Sequence, residues 1–301
     1  MLKGLAITPP VIGRISIGRV IERNGKRLPE KDDQFTLTSQ VQNRDGWVLH
    51  PLDEALRKEG GEKAKLRSIP VRVLFNDPSL NLRADYSLFD RTTGRPVCVG
   101  NGETSRRVGT DGVSVQPCVG PDTCAFANGE CKAYARFNVV VGEAEDDALG
   151  SFVLRTTSFN TIRTIAARLQ YFNAVSGGRL ASLPLELKLR GKSTTMSYRA
   201  AIYYVDLVVR AGLTLEQAVE QARELDARRR GCGFDQHALD EAARQGFANG
   251  AFEDLAEDVQ AVVEEFFPDA AADPVDSVQE KEAPASLRGR LENRVARMGG
   301  S

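Results

Sequence analysis

The chain has 301 residues and a formal net charge of −1, with 40 basic and 41 acidic residues. This length allows one large domain or two smaller ones with an ample core, and the balanced charge identifies no class of partner. No run of about 18 apolar residues occurs, which argues against a membrane span. The N-terminal residues alternate between apolar and polar and carry Pro and Arg, so they predict a strand and not a signal peptide. With five cysteines and no signal, we expect reduced thiols and a cytoplasmic protein.

Short segments with the apolar–polar alternation of strands dominate the first half of the chain. The predicted strands are Leu5–Ile7, Ile15–Ile21, Gln34–Thr38, Pro70–Phe75, Ala84–Phe89, Ala135–Val141 and Phe152–Thr156. One short helix, Pro51–Glu59, is predicted among them. A polar, glycine-rich insert precedes the last two strands, and its composition indicates turns.

Helical spacing of apolar residues begins at Ser158, which is a plausible N-cap, and ends at the Gly177–Gly178 pair. Two further strands and three further helices follow in the pattern. The strands are Leu183–Arg190 and Tyr198–Val209, and the helices are 214–228, opened by the capping-box residues Thr214 and Gln217, then Gln236–Gly246 and Ala251–Phe267.

The sequence therefore predicts an α+β protein with a mixed or antiparallel sheet and helices packed on it. We expect residues 1–210 to form the core, with a four-cysteine insert at 98–131. Residues 211–267 form a helical C-terminal region in this interpretation. Residues 268–301, rich in Ala, Pro, Asp, Glu and Ser, cannot bury enough apolar surface to fold and predict a disordered tail.

Four of the five cysteines fall within the insert: Cys98, Cys118, Cys124 and Cys131. Four thiolates brought together by turns suit a structural Zn²⁺ site, and an iron–sulfur cluster is the alternative. The C-x5-C-x6-C spacing is looser than the usual zinc motifs. His50 and His237 are remote in sequence and lack ligand spacing, so a catalytic zinc is not favoured, and Cys232 reads as an ordinary free thiol.

Charge is distributed unevenly along the chain. Residues 151–200 contain eight basic residues and one acid, Glu186, whereas residues 251–301 contain twelve acids and five bases. The eight basic residues are candidate nucleic-acid contacts, because Lys and Arg that neutralise phosphates release counterions. They are Arg155, Arg163, Arg168, Arg179, Lys188, Arg190, Lys192 and Arg199. The alternative interpretation is the solvated faces of a helix and a hairpin.

Motifs of common enzymes are missing from the sequence. There is no G-x4-G-K-[ST] phosphate loop, no G-x-S-x-G and no H-E-x-x-H. The residues themselves therefore give no support to catalysis.

The order of three segments, GECKAYARF, GSFVLRTTSFNTIRTIAARL and GGRLASLPLELKLR, resembles the recombination directionality factor family of serine-integrase phages. It is also similar to proteins of integrative conjugative elements that carry the label "hydrolase or metal-binding protein". The resemblance covers about residues 70–210. It implies a non-enzymatic, metal-binding accessory factor in recombination or replication of a mobile element, acting on a serine integrase or another such protein and on DNA. A single-stranded-DNA-binding or annealing protein and a metal-dependent hydrolase are the alternatives.

Overall fold

A computed structural model describes residues 10–23, 26–43, 46–61, 65–142, 150–193, 201–247 and 266–267. Its described part is α+β, as predicted, with twelve strands and five α-helices. The strands are β1 (Val11–Arg23), β2 (Lys26–Asn43), β3 (Gly46–Leu49), β4 (Ser68–Arg72), β5 (Leu82–Phe89), β6 (Pro96–Gly100), β7 (Thr104–Gly109), β8 (Gly112–Pro117), β9 (Lys132–Val141), β10 (Ser151–Thr156), β11 (Leu185–Ser193) and β12 (Ala201–Val209). The helices are α1 (Pro51–Gly60), α2 (Pro78–Asn81), α3 (Phe159–Val175), α4 (Leu215–Gly231) and α5 (Gln236–Phe247).

The strands form one mixed sheet in the order β3-β2-β1-β10-β9-β5-β6-β7-β8. All described pairings are antiparallel except that of β1 with β10, which is parallel. The sheet branches at β9, because the end of this strand pairs with β4, and β4 continues through β11 to β12. Strand β9 is therefore the centre of the fold.

Alternation along β9 separates an inner face from an outer one. Ala135, Phe137 and Val139 are buried and belong to the main hydrophobic cluster, whereas Tyr134 and Arg136 lie on the opposite, outer face. On the inner face α3 buries Ile165 and Leu169 against the sheet. The main core therefore lies between the inner face and the helices.

Local signals explain where the helices begin. The Ser158 hydroxyl accepts a hydrogen bond from the Thr161 N–H at 3.4 Å, and positive φ at Gly177 and Gly178 marks the end of α3. At α4 the predicted capping box is present, with Thr214 and Gln217 each bonded to the other's backbone N–H. These predictions are confirmed.

Two details differ from the sequence interpretation. The insert contains the three strands β6, β7 and β8 in addition to turns, and they extend the sheet to its edge. Glu186, which a solvated hairpin face would expose, is instead buried and accepts a hydrogen bond from the Ala211 N–H at 3.0 Å. That bond satisfies the Ala211 N–H and so holds the turn between β12 and α4 to β11.

Some predictions fall outside the described residues. The strand Leu5–Ile7 and the tail 268–301 do so entirely, and of the helix Ala251–Phe267 only Phe266 and Phe267 are described. In the part of the chain that is described, no helix is long and apolar enough to cross a membrane.

Candidate functional site

The sheet brings the four insert cysteines to neighbouring positions. Cys98 lies in β6 opposite Leu88, and Ser87 pairs with Lys132, so Cys131 stands beside Leu88 on its other side. All four of the insert thiols are reduced and partly buried. Topology therefore places Cys98 and Cys131 on either side of one residue of β5.

Cys118 reaches the same place through the hairpin of β7 and β8. Its N–H donates to the Glu103 carbonyl at 2.9 Å directly after β8 ends. Its Sγ lies only 2.8 Å from the point where a side chain at Gly100 would begin. Gly100 follows Cys98 by two residues and so faces the same side of β6. The missing side chain of Gly100 thus makes the space that the Cys118 thiol occupies.

The fourth cysteine, Cys124, occupies the N-cap position of a short 3₁₀ turn at Ala125–Ala127. Its link to the other three cysteines is electrostatic. Burial, and after it the charges of Cys98, Cys118 and Cys124, raise the pKa of the Cys131 thiol from 9.0 to about 11. Like-charge repulsion of this kind places the other three sulfurs within electrostatic reach of Cys131. At neutral pH the Cys131 thiol of the metal-free protein is therefore protonated.

The donor chemistry fits a thiolate-binding metal ion, but the arrangement is not a finished ligand set. Among the described residues, no group of three or more His, Cys, Asp or Glu side chains has the geometry to hold a metal ion. Four sulfurs around Zn²⁺ lie about 3.8 Å apart, given a Zn–S bond of about 2.3 Å. The thiols are thus within electrostatic reach of one another, and a bound ion would draw them closer. The predicted four-cysteine site stays a prediction.

One cation also lies beside the cysteines. Arg107 in β7 pairs with Cys98 across the strands, and its guanidinium stacks 3.8 Å from the centre of the Phe126 ring. Phe126 is 46% exposed, so this contact closes the cluster toward solvent only in part.

Most of the predicted nucleic-acid residues are neutralised by carboxylates or held by polar contacts. Buried Asp206 accepts from Arg168 at 3.0 Å and from Arg190 at 3.3 Å. Asp226 accepts from Arg179 at 3.2 Å. These two acids come from beyond residue 200, so the charge count over 151–200 overstates the positive potential of the folded surface.

The remaining members of that set occupy different places. Lys188 lies 3.6 Å from Glu186, and Lys192 donates to Asn160 at 2.7 Å. Arg163 is exposed on α3, and Arg155 lies on the outer face of the sheet. Arg199 lies outside the described residues. The structure therefore does not unite the seven described residues of the set on one surface, and the role of all eight in nucleic-acid binding stays a prediction.

A row of arginines on the outer face was missed by the sequence interpretation. Arg83 in β5 pairs with Arg136 in β9, which in turn pairs with Arg155 in β10. All three are half-buried. Burial raises the pKa of nearby Asp85, although the charges of Arg83 and Arg136 act in the opposite direction. The alternation of Arg83 and Arg136 with core residues is visible in the sequence, but only the strand register shows that they meet.

With the fold and the cysteine cluster established, the chain can be compared with known proteins. The model of the Gp3-like family, described as recombination directionality factor-like, matches residues 12–210. This match covers more than half of the 301 residues, so the chain belongs to that family. The resemblance seen in the sequence is thereby confirmed, and it extends over β1 to β4 as well. Comparison with curated proteins and with solved structures found no match.

Family membership supports a role in the recombination of phages and other mobile genetic elements. Factors of this kind generally act together with integrases and DNA. The matched range includes the whole cysteine insert and the helix–hairpin of α3, β11 and β12. The cluster and these basic residues are therefore parts of the family region and not additions to it.

Proposed function

We propose that this protein is a non-enzymatic accessory factor that sets the direction of recombination in a mobile genetic element by binding its integrase. The observation that carries the proposal is the family match over residues 12–210, which spans eleven complete strands and α3. The absence of the common enzyme motifs from the sequence agrees with an accessory role. Its place of action is the cytoplasm, where integrase and DNA are found.

In this proposal Zn²⁺ is bound by Cys98, Cys118, Cys124 and Cys131 and stabilises the insert. Support comes from the charge coupling of the four thiols and from the space that Gly100 leaves for Cys118. When bound, the ion would supply a cross-link and no chemistry of its own. The four cysteines would then hold β6, β7 and β8 in one orientation. Because the exposed side chains of these strands would already be ordered, they would contact a protein partner with little loss of conformational entropy.

A recombination assay tests the directional role. The full-length protein is added to the serine integrase of the same element, with DNA carrying the two hybrid sites that flank the integrated element. We expect recombination of these sites only when both proteins are present, and coelution of the two proteins. No change in direction and no coelution would contradict the proposal.

Metal analysis tests the zinc site separately. We expect one zinc per chain, lost in Cys124→Ser and retained in Cys232→Ser, which changes an exposed thiol outside the cluster. A brown protein with iron and sulfide would instead identify an iron–sulfur cluster. Full activity of metal-free Cys124→Ser in the recombination assay would show that the directional role does not depend on the metal.

Direct DNA contact is a second candidate activity, favoured by the exposed Arg163 on α3. Salt-dependent retention of short single- or double-stranded DNA, lowered by Arg163→Glu, would support it. Equal retention by Arg163→Glu and by the unchanged protein would leave protein contacts as the mode of action.

A further inference from the structure

Helix α3 has an exposed face with few charges. Seven of its residues are exposed, and Arg163 is the only charged residue among them. Helix α4 also has 17 residues, and six of its ten exposed residues are charged. A helix face that meets only water is normally polar and charged, as in α4. The composition of the exposed face of α3 is instead typical of a contact with another protein.

The large exposed side chains of α3 form one ridge. Phe159, Arg163, Ala167, Tyr171 and Val175 follow one another at intervals of four residues, and all five are exposed. Phe159 is 57% exposed, Tyr171 49% and Val175 37%. Residues four apart are neighbours on a helix surface, and such rows are the ridges that pack into the grooves of a second helix. The ridge therefore has the geometry of a helix-packing surface.

The ridge is complementary to itself about Ala167. Arg163 lies four residues before this alanine and Tyr171 four residues after it, whereas the apolar Phe159 and Val175 lie eight residues before and after it. Two copies of α3 that cross antiparallel at Ala167 are related by a two-fold axis. In such a pair the Arg163 of each copy faces the Tyr171 of the other, because a two-fold contact repeats each pairing in reverse. The small side chain of Ala167 lets the two backbones approach closely at the crossing point.

The two residues beside Ala167 are prepared for this contact. The buried Phe172 ring lies edge-on to the Tyr171 ring, with 5.6 Å between their centres, and so restricts its motion. Within the described part of the chain no carboxylate pairs with Arg163, whereas Asp206 neutralises Arg168 on the same helix. A guanidinium is attracted to the face of a tyrosine ring, and more strongly where water is excluded. The contact thus gives Arg163 a partner that its own chain does not provide.

We propose that the exposed ridge of α3 is a contact between two copies of this chain, packed antiparallel about a two-fold axis at Ala167. Stable interfaces bury about 1,200–2,000 Å² in total, and a single pair of helices provides less. The association is therefore weak and depends on protein concentration. This inference is independent of the proposed directional role.

Sedimentation of the reduced full-length protein tests the association. Between about 1 and 200 µM we expect the weight-average mass to rise from that of one chain toward that of two. Ala167→Lys should hold the mass at one chain, because it places two bulky cations at the crossing point, next to both copies of Arg163. The matched control is Ala227→Lys, which changes an exposed alanine of α4 and should still associate. Both alanines are exposed, so the two variants should melt at the same temperature.

Disulfide trapping tests the register of the two helices. It uses Cys232→Ser as the background, which removes the exposed thiol. Ala167→Cys should form a covalent dimer on mild oxidation, because the two-fold axis brings this position of both copies together. Arg163→Cys alone should not, since its two copies lie eight residues, or about 12 Å, apart along the axis. A disulfide joins Cα atoms less than about 7 Å apart. A mixture of Arg163→Cys with Tyr171→Cys should form the covalent dimer again.

Three results would overturn the proposal. The mass of one chain throughout the concentration range would exclude the contact. Equal association of Ala167→Lys and Ala227→Lys would place any dimer contact elsewhere on the molecule. Retention of short DNA that Arg163→Glu abolishes, without association of the unchanged protein, would make the ridge a nucleic-acid surface instead.

Discussion

The core around β9 and the cysteine insert share one sheet but are stabilised in different ways. Around β9, Phe137 and Leu154 of the sheet and Ile165 of α3 are almost completely buried. In the insert, Val113 and Val115 on the edge strand β8 are 49% and 74% exposed. Burial of apolar surface stabilises the first region, whereas the second has little surface of this kind to bury. In the proposal that the four cysteines bind Zn²⁺, the ion would supply the cross-link that stabilises this region.

The difference predicts that damage to the core unfolds the whole protein and damage to the insert remains local. Cooperative units with different opening free energies can coexist in one sheet. Each of the following changes affects one side of this comparison.

Phe137→Ala should have the largest effect. It removes a fully buried ring from the central strand, and such changes cost about 3–5 kcal/mol in the free energy of unfolding. Urea denaturation followed by circular dichroism measures the loss. Phe126→Ala, a half-exposed ring of the insert, is the matched control and should cost about 1 kcal/mol or less. Equal losses would show that the two regions form one cooperative unit.

Asp206→Ala should have the second-largest effect on the free energy of unfolding. The buried carboxylate neutralises Arg168 and Arg190, and its loss leaves two cations facing each other without it. Both arginines are partly exposed, so we expect about 1–3 kcal/mol, below the cost of breaking a fully buried pair. Retention of short DNA should rise in the same variant, because the helix–hairpin becomes more positive. Unchanged retention would indicate that this surface does not contact DNA.

Gly100→Ala should act on the insert alone. The added methyl would stand 2.8 Å from both Cys118 Sγ and Ser105 Cβ, so the thiol must move. Overpacking of this kind costs about 1–2 kcal/mol. We expect faster hydrogen exchange in β6, β7 and β8 with unchanged exchange in β9, and a lower zinc content. Gly191→Ala, whose methyl would meet only Tyr203 at 3.4 Å, is the control. It should change neither the hydrogen exchange of these strands nor the zinc content.

Alkaline pH should have the smallest effect, and only on the metal-free protein. The fold raises the pKa of Cys131 from 9.0 to about 11, so it favours the protonated thiol. This contribution to stability is fully present below pH 9 and is lost as the pH rises through 11. Because the thiol is partly exposed, the loss should be under about 1 kcal/mol. Thermal melting of Cys131→Ser should lack this step, and that of Cys232→Ser should keep it.

The sequence predicts most of the core because local signals and tertiary packing agree there. Strand β9 alternates between core and outer positions, β10 is a short apolar run, and α3 is capped by Ser158 and ends before Gly177. Strands β6, β7 and β8 were missed because each has only five or six residues and they lie in a polar, glycine-rich insert whose composition indicates turns. They extend the sheet from the edge of β5, each pairing with the next.

The two basic surfaces show a second limit of prediction from sequence. Charge counting along the chain selected residues 151–200, but Asp206 and Asp226, which neutralise part of that surface, lie outside the window. The arginine row was hidden for the opposite reason. Arg83, Arg136 and Arg155 are far apart in sequence and meet only through strand register. Local composition cannot report either arrangement.

The parallel pairing of β1 with β10 also affects how the protein is made. Val11 aligns with Ser151, so the inner edge of β1 has no partner until β10 leaves the ribosome. At 5–20 residues per second this delay is roughly 7–28 s. During that time the β1–β2 ribbon carries Ile15, Phe35 and Leu37 without the core that later buries them. The newborn chain therefore passes through an interval in which chaperone protection matters most, and it ends when the tenth strand arrives.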